Sequence, residues 1–139
     1  MEPIVKTHYE IKTQADAVIH FLQNLDIDMI DAVLEEGRTY QNLEKPIFIK
    51  KLGIALDEFL SSGDTFLNRH SGFCNAEICN YKCTGFRFIG NISKNYLDLV
   101  ITIKDGVIQD MYECSIFKCH EGGEIVNENI EIDRLILPF

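Results

Sequence analysis

Apolar residues recur at helical spacing up to Asp64 and at alternate positions after it, and this one change of period restricts the chain to an α+β architecture. Residues Thr13 to Leu25 read as a first helix. Thr13 is placed to cap it, with Asp16 three positions on, and Ala17, Val18, Phe21, Leu22 and Leu25 form its apolar stripe. A second helix is expected from Ile27 to Glu35, with Ile27, Ile30, Val33 and Leu34 on one side and Gly37 as the stop. Arg38 to Asn42 reads as a short strand. Lys45-Pro46 then opens a long helix running to Leu60, because proline fits a first helical turn; Phe48, Leu52, Ala55, Leu56 and Phe59 are its buried face.

The second half reads as antiparallel strands. Thr65 to Cys74 is one, with an interruption expected at Ser71-Gly72. Thr84 to Ile89 is the next, closed by a Gly90-Asn91 turn. In Tyr96 to Ile103, Leu97, Leu99, Ile101 and Ile103 alternate with Asp98 and Thr102, so one face is apolar. Asp105-Gly106 is a two-residue hairpin signal, since both residues accept positive φ. Val107 to Lys118 returns, Glu121-Gly122-Gly123 is a loop, and Ile130 to Leu137 is a last strand. The 139 residues match the usual size of one domain, so a single domain over 1–139 is expected.

Helix, helix, short strand, long helix and a run of antiparallel strands is an order that resembles the nuclear transport factor 2-like superfamily, which includes ketosteroid isomerases and polyketide cyclases. Lys45-Pro46 at the third helix and the strand–Asp105-Gly106–strand hairpin carry the resemblance, together with the run Cys74-Asn75, Cys79-Asn80, Cys83-Thr84-Gly85, which is similar to one in bacterial members. The resemblance implies a cone: a curved, mainly antiparallel sheet packed against three N-terminal helices. It also implies two classes of function. One is a ligand-binding or interaction module. The other is a small-molecule isomerase, cyclase or dehydratase that uses a pocket carboxylate with hydroxyl donors; Tyr40, Asp98, Tyr112 and Glu113 are the candidates. Tyr112 and Glu113 are adjacent in a strand, so at most one of them faces a pocket.

Charge narrows the partners. The net charge of -9 divides as -6 over residues 1–36, +3 over 37–104 and -6 over 105–139. An acidic chain repels phosphate backbones, so nucleic acid is not an expected partner. The central bases Lys50, Lys51, Arg69, Lys82, Arg87 and Lys94 read as solvated surface rather than an anion site. No apolar run approaches the roughly 18 residues of a membrane span. Met1 to His8 lacks a basic patch followed by an apolar core, so a cytoplasmic protein without a signal peptide is expected. The strand from Val107 to Lys118 is apolar on both parities, Met111 and Phe117 on one, Ile108, Tyr112, Cys114 and Ile116 on the other. Helices cover only one sheet face, so a homodimer through the other is expected.

Five cysteines, an odd number, without an export signal argue against a secreted disulfide framework. Three of them, Cys74, Cys79 and Cys83, fall within ten residues, and His70 lies four before the first. Thiolates and imidazole are the ligands zinc prefers, and Asn75 and Asn80 suit the tight turns of a wrapping loop. The expected site is a structural zinc held by His70, Cys74, Cys79 and Cys83, with Cys114, Cys119 and His120 as other sources of the fourth ligand. Small buried thiols, or a redox pair of Cys79 and Cys83, are the competing readings. Asp26, Asp28 and Asp31 lack the glycine and glutamate of a calcium loop and read as helix-start acids; His20, beside the first helix's apolar stripe, reads as a packed histidine.

Overall fold

The computed structural model describes residues 11–74, 84–113, 117–119 and 125–126. Helix α1 spans Gln14–Gln23. Thr13 caps it as expected, its Oγ1 accepting from the Asp16 N–H at 3.2 Å, while the Asp16 carboxylate reaches back to the Lys12 N–H. Helix α2 is Ile27–Val33, with Asp26 as N-cap accepting from the Met29 N–H, which gives that acid a structural role. Helix α3 is Lys45–Ser61 with proline in its first turn.

Between α2 and α3 the chain departs from the expected single strand. Thr39–Tyr40 (β1) and Leu43–Glu44 (β2) form a two-residue hairpin, because Gln41 and Asn42 both take positive φ, 54° and 59°. Paired left-handed residues match the twist of flanking strands.

The main sheet contains β3 (Leu67–Cys74), β4 (Thr84–Gly90), β5 (Tyr96–Lys104), β6 (Val107–Glu113), β7 (Phe117–Cys119) and β8 (Ile125–Val126). Its order is β6-β5-β4-β3-β7, with β8 also on β3, and every described pairing is antiparallel. Two expectations change here. β3 runs without a break through Ser71-Gly72, since Phe86 and Gly85 of β4 continue the ladder opposite them. Phe117–Cys119 does not extend β6 along β5; it crosses to the far edge and pairs with β3. The expected last strand, 130–137, lies outside the described residues.

The helices bury their stripes against one sheet face. Leu67, Phe88, Leu97, Leu99, Ile101, Ile108 and Met111 meet Val18, Phe21, Leu22, Ile30, Leu52 and Leu56 in one cluster. Ile108 and Met111 are three apart, yet both are fully buried. The register shows why: Thr102 pairs with Asp110 and Ile103 with Ile108, so Gln109 is a bulge that reverses parity. Ile103 keeps the parity of Ile101 and pairs with Ile108, yet near the hairpin end it is 44% exposed instead of in the core. Over its described length, β6 therefore does not present the apolar outer face that its sequence implied. Asp110 beside the bulge accepts from the Gln41 N–H at 2.8 Å and ties the β1–β2 hairpin to this edge.

Among the described residues, four buried polar residues join the elements, one of them Gln23, which donates to the Leu67 carbonyl at 3.1 Å. Gln14 donates to the Val33 carbonyl and accepts from the Ile108 N–H, at 3.0 and 2.9 Å. Lys45 is 4% exposed and donates to the carbonyls of Asp31 and Leu34 and to the Glu36 carboxylate, so it closes the C-terminus of α2 from the start of α3. Asp64 lies under the β4–β5 turn, where it helps to shape the site below.

Candidate functional site

The turn between β4 and β5 is built around one carboxylate. Asp64, 2% exposed, accepts from the Ile92 N–H at 2.8 Å, the Ser93 N–H at 2.7 Å and the Ser93 hydroxyl at 2.5 Å. Burial alone raises its pKa, but these three donors and nearby Lys94 outweigh it and hold the carboxyl below its ordinary value. Gly90 makes room for the group: a Cβ there would lie 2.2 Å from the Asp64 carboxylate. Lys94 follows in the left-handed region at φ 63°, and its N–H returns to the Gly90 carbonyl.

This pinned turn forms one wall of a cavity of ≈ 550 Å³ between the C-terminal half of α3 and the sheet. Ala55, Glu58 and Phe59 line it from α3, Lys94 and Asn95 from the turn, Tyr96 and Leu97 from β5, and Glu113 from the end of β6. The Tyr96 wall is braced from outside the core. The Arg87 guanidinium lies 4.1 Å from the Tyr96 ring centroid and makes a two-point pair with Asp98 at 2.7 and 2.9 Å. The lining combines an apolar floor with two carboxylates and one ammonium, a mixture that orients small molecules carrying both apolar and ionic parts.

Of the four catalytic candidates, Glu113 alone lines this cavity, and it is exposed at the rim. Tyr112 is half-buried on the opposite parity, across from Val100. Asp98 serves Arg87. Tyr40 is fully buried and donates to the Glu35 carbonyl at 3.3 Å; burial pushes its phenol up, against the pull of Arg38. His20 is a packed histidine, edge-on to Phe21 at 5.4 Å. Burial lowers its pKa, and Asp26 opposes that shift. Glu58, Lys94 and Asn95 were not anticipated from the sequence. The Gly90-Asn91 turn signal placed a loop there but not what it faces.

The cysteine stretch is only partly described. His70 is half-buried on β3, opposite Arg87 of β4 and Ile125 of β8, and Cys74 ends the strand opposite Phe117. Cys119 of β7 is the backbone partner of Gly72, midway between His70 and Cys74. Cys79, Cys83, Cys114 and His120 lie outside the described residues. Among the described residues, no three His, Cys, Asp or Glu side chains form a metal-binding group. No described helix is long and apolar enough to cross a membrane.

Comparison with family models, with curated proteins and with solved structures finds no match to this chain.

Proposed function

We propose that this chain is a small-molecule binding module with the cone-type fold of the nuclear transport factor 2-like superfamily, and that its ligand enters the cavity between α3 and β5. The cavity carries the reading. Its volume lies in the roughly 300–1,000 Å³ range of ligand sites, and its apolar floor carries a few ionic groups at the rim. Chain length supports the curved sheet. Glu113 and Phe117 end on opposite edges four residues apart, and four residues reach at most about 14 Å, while four strand spacings in a flat sheet need about 19 Å. A sheet whose edges bend toward each other fits both lengths, which supports the cone.

In the alternative reading, an isomerase, cyclase or dehydratase, Glu113 is the base. Exposure at the rim favours binding over that chemistry, because a catalytic carboxylate of this class works in an enclosed apolar site. The structural zinc is a separate part of the proposal, with His70, Cys74, Cys79 and Cys83 as ligands. Among the other fourth-ligand candidates, Cys119 is supported by its backbone pairing with Gly72, between His70 and Cys74.

The test is a screen of small apolar acids and amines by amide chemical shifts. Shifts confined to Ala55, Phe59, Lys94–Leu97 and Glu113, and lost in Ala55→Trp, are the expected result. Binding that is scattered, or that survives Ala55→Trp unchanged, overturns the cavity assignment.

A further inference from the structure

The outward face of α3 carries an unusual order of charges. Ile47 and Ile54 are 54% and 56% exposed and lie two turns apart on one line. Lys50 and Lys51 follow the first isoleucine, and Asp57 and Glu58 follow the second; all four are exposed. At about 100° per residue, Lys50 and Asp57 flank the isoleucine line on one side and Lys51 and Glu58 on the other. Bases and acids here are seven residues apart, too far for the three- or four-residue pairing that links charges within a helix. Among the described residues none of the four forms an ion pair. The order also opposes the helix dipole, with no acid in the first turn and no base in the last.

We propose that this face is a self-association surface, on which a second copy of the chain lays its own α3 antiparallel about Ile54. At about 1.5 Å per residue, Lys50 lies about 6 Å before Ile54 and Asp57 about 4.5 Å after it, and Lys51 and Glu58 lie at about 4.5 and 6 Å. Reversing the direction of one helix therefore brings Lys50 level with the other copy's Asp57, and Lys51 level with its Glu58, to within about 1.5 Å. Two such pairs form on each flank, and Ile54 meets Ile54 at the two-fold axis. A parallel copy would set lysine on lysine and acid on acid, so the pattern selects one orientation. The antiparallel dipoles also cancel, removing the mismatch that α3 carries alone. The contact is isologous and closes at two copies. A single 17-residue helix makes a small interface, below the roughly 1,200 Å² of a standard one, so the dimer is reversible. The net charge of -9 on each copy opposes association at long range, and moderate salt screens that repulsion while leaving close pairs in place.

Sedimentation velocity on the full chain, from about 10 to 500 µM at about 0.15 M salt, is the test. The wild type is expected to shift from monomer to dimer across the series. Lys50→Glu with Lys51→Glu, and separately Asp57→Lys with Glu58→Lys, should each sediment as monomers with unchanged circular dichroism, since all four side chains are exposed. An equimolar mixture of the two variants should regain the dimer. Ile54→Glu, which puts like charges on the axis, should be monomeric too. A wild type that stays monomeric overturns the proposal. Reversed variants that still dimerise overturn it in favour of another surface, such as the outer sheet face. Monomeric variants that fail to pair when mixed overturn the antiparallel self-pairing and leave a different helix as the occupant.

Discussion

Asp64 and Gly90 should be coupled far beyond additivity. Asp64→Ala removes three hydrogen bonds and leaves the N–H groups of Ile92 and Ser93 without their acceptor. At about 1.5 kcal/mol for each bond to a charged group, reduced because water reaches a surface turn, the loss is about 3 kcal/mol. Gly90→Ala places a Cβ at 2.2 Å from Oδ2, 2.5 Å from Cγ and 2.7 Å from Oδ1 of Asp64, so the carboxylate must leave its donors. That costs about 2–3 kcal/mol. The three atoms nearest that Cβ all belong to the carboxylate, so alanine at 64 removes the obstruction. The double variant should lose about 3 kcal/mol in total, not 5–6, a coupling of about 2–3 kcal/mol. The Asp64 contribution also has a sign in pH. Its folded pKa lies below the ordinary 3.8, so its stabilisation is present at neutral pH and lost as pH falls below 3.8 through the folded value. The gap between wild type and Asp64→Ala should therefore narrow in acid. Urea unfolding followed by circular dichroism at pH 7 and near the acid limit measures both effects. Additive losses, or a gap that does not change with pH, would refute the account of the turn.

Gln14→Leu should cost about 2–3 kcal/mol in urea unfolding, because it strands the buried Ile108 N–H and the Val33 carbonyl together. His20 has a depressed pKa, so the stability it confers is complete above about pH 6.5 and declines as pH falls below that value; His20→Gln should flatten this part of a melting-temperature profile. Protein purified without chelator should contain about one equivalent of zinc by elemental analysis, reduced in Cys74→Ser; less than about a tenth of an equivalent ends the zinc proposal.

What the sequence disclosed follows from where each signal originates. Thr13, Pro46 and Asp105-Gly106 act through their own neighbours, so the start of α1, the start of α3 and the β5–β6 hairpin could be read directly. Asp105 and Gly106 indeed take φ 53° and 76°. Gln41-Asn42 carries a weak version of the same signal, a polar pair with asparagine between Tyr40 and Leu43, too weak to mark a hairpin without its pairing. The Gln109 bulge has no local signature. It exists because Ile108 and Met111 both find the core, and only the register reveals that. Burial of Lys45, Asp64 and Gln14 was equally hidden, because each depends on partners distant in the chain. In the cavity, Glu113 was singled out as a carboxylate on a strand, whereas Glu58 and Lys94 became neighbours of it only through the crossing of α3 over the sheet.

The attachment of α1 to the β5–β6 hairpin has a consequence for biosynthesis. The Ala15 N–H donates to the Gly106 carbonyl, Gln14 binds Ile108, and Gln23 donates to the Leu67 carbonyl at 3.1 Å. A first helix fastened to residues 44 and 94 positions downstream cannot dock until they are made. At roughly 5–20 residues per second, a ribosome needs about 5–20 s to supply the second of these anchors. Throughout that interval Val18, Phe21 and Leu22, each buried in the finished protein, lack the completed sheet that covers them. The nascent chain is therefore expected to be a client of holding chaperones until Ile108 emerges, and its folding should be slow for its size because its closing contacts are the most distant ones.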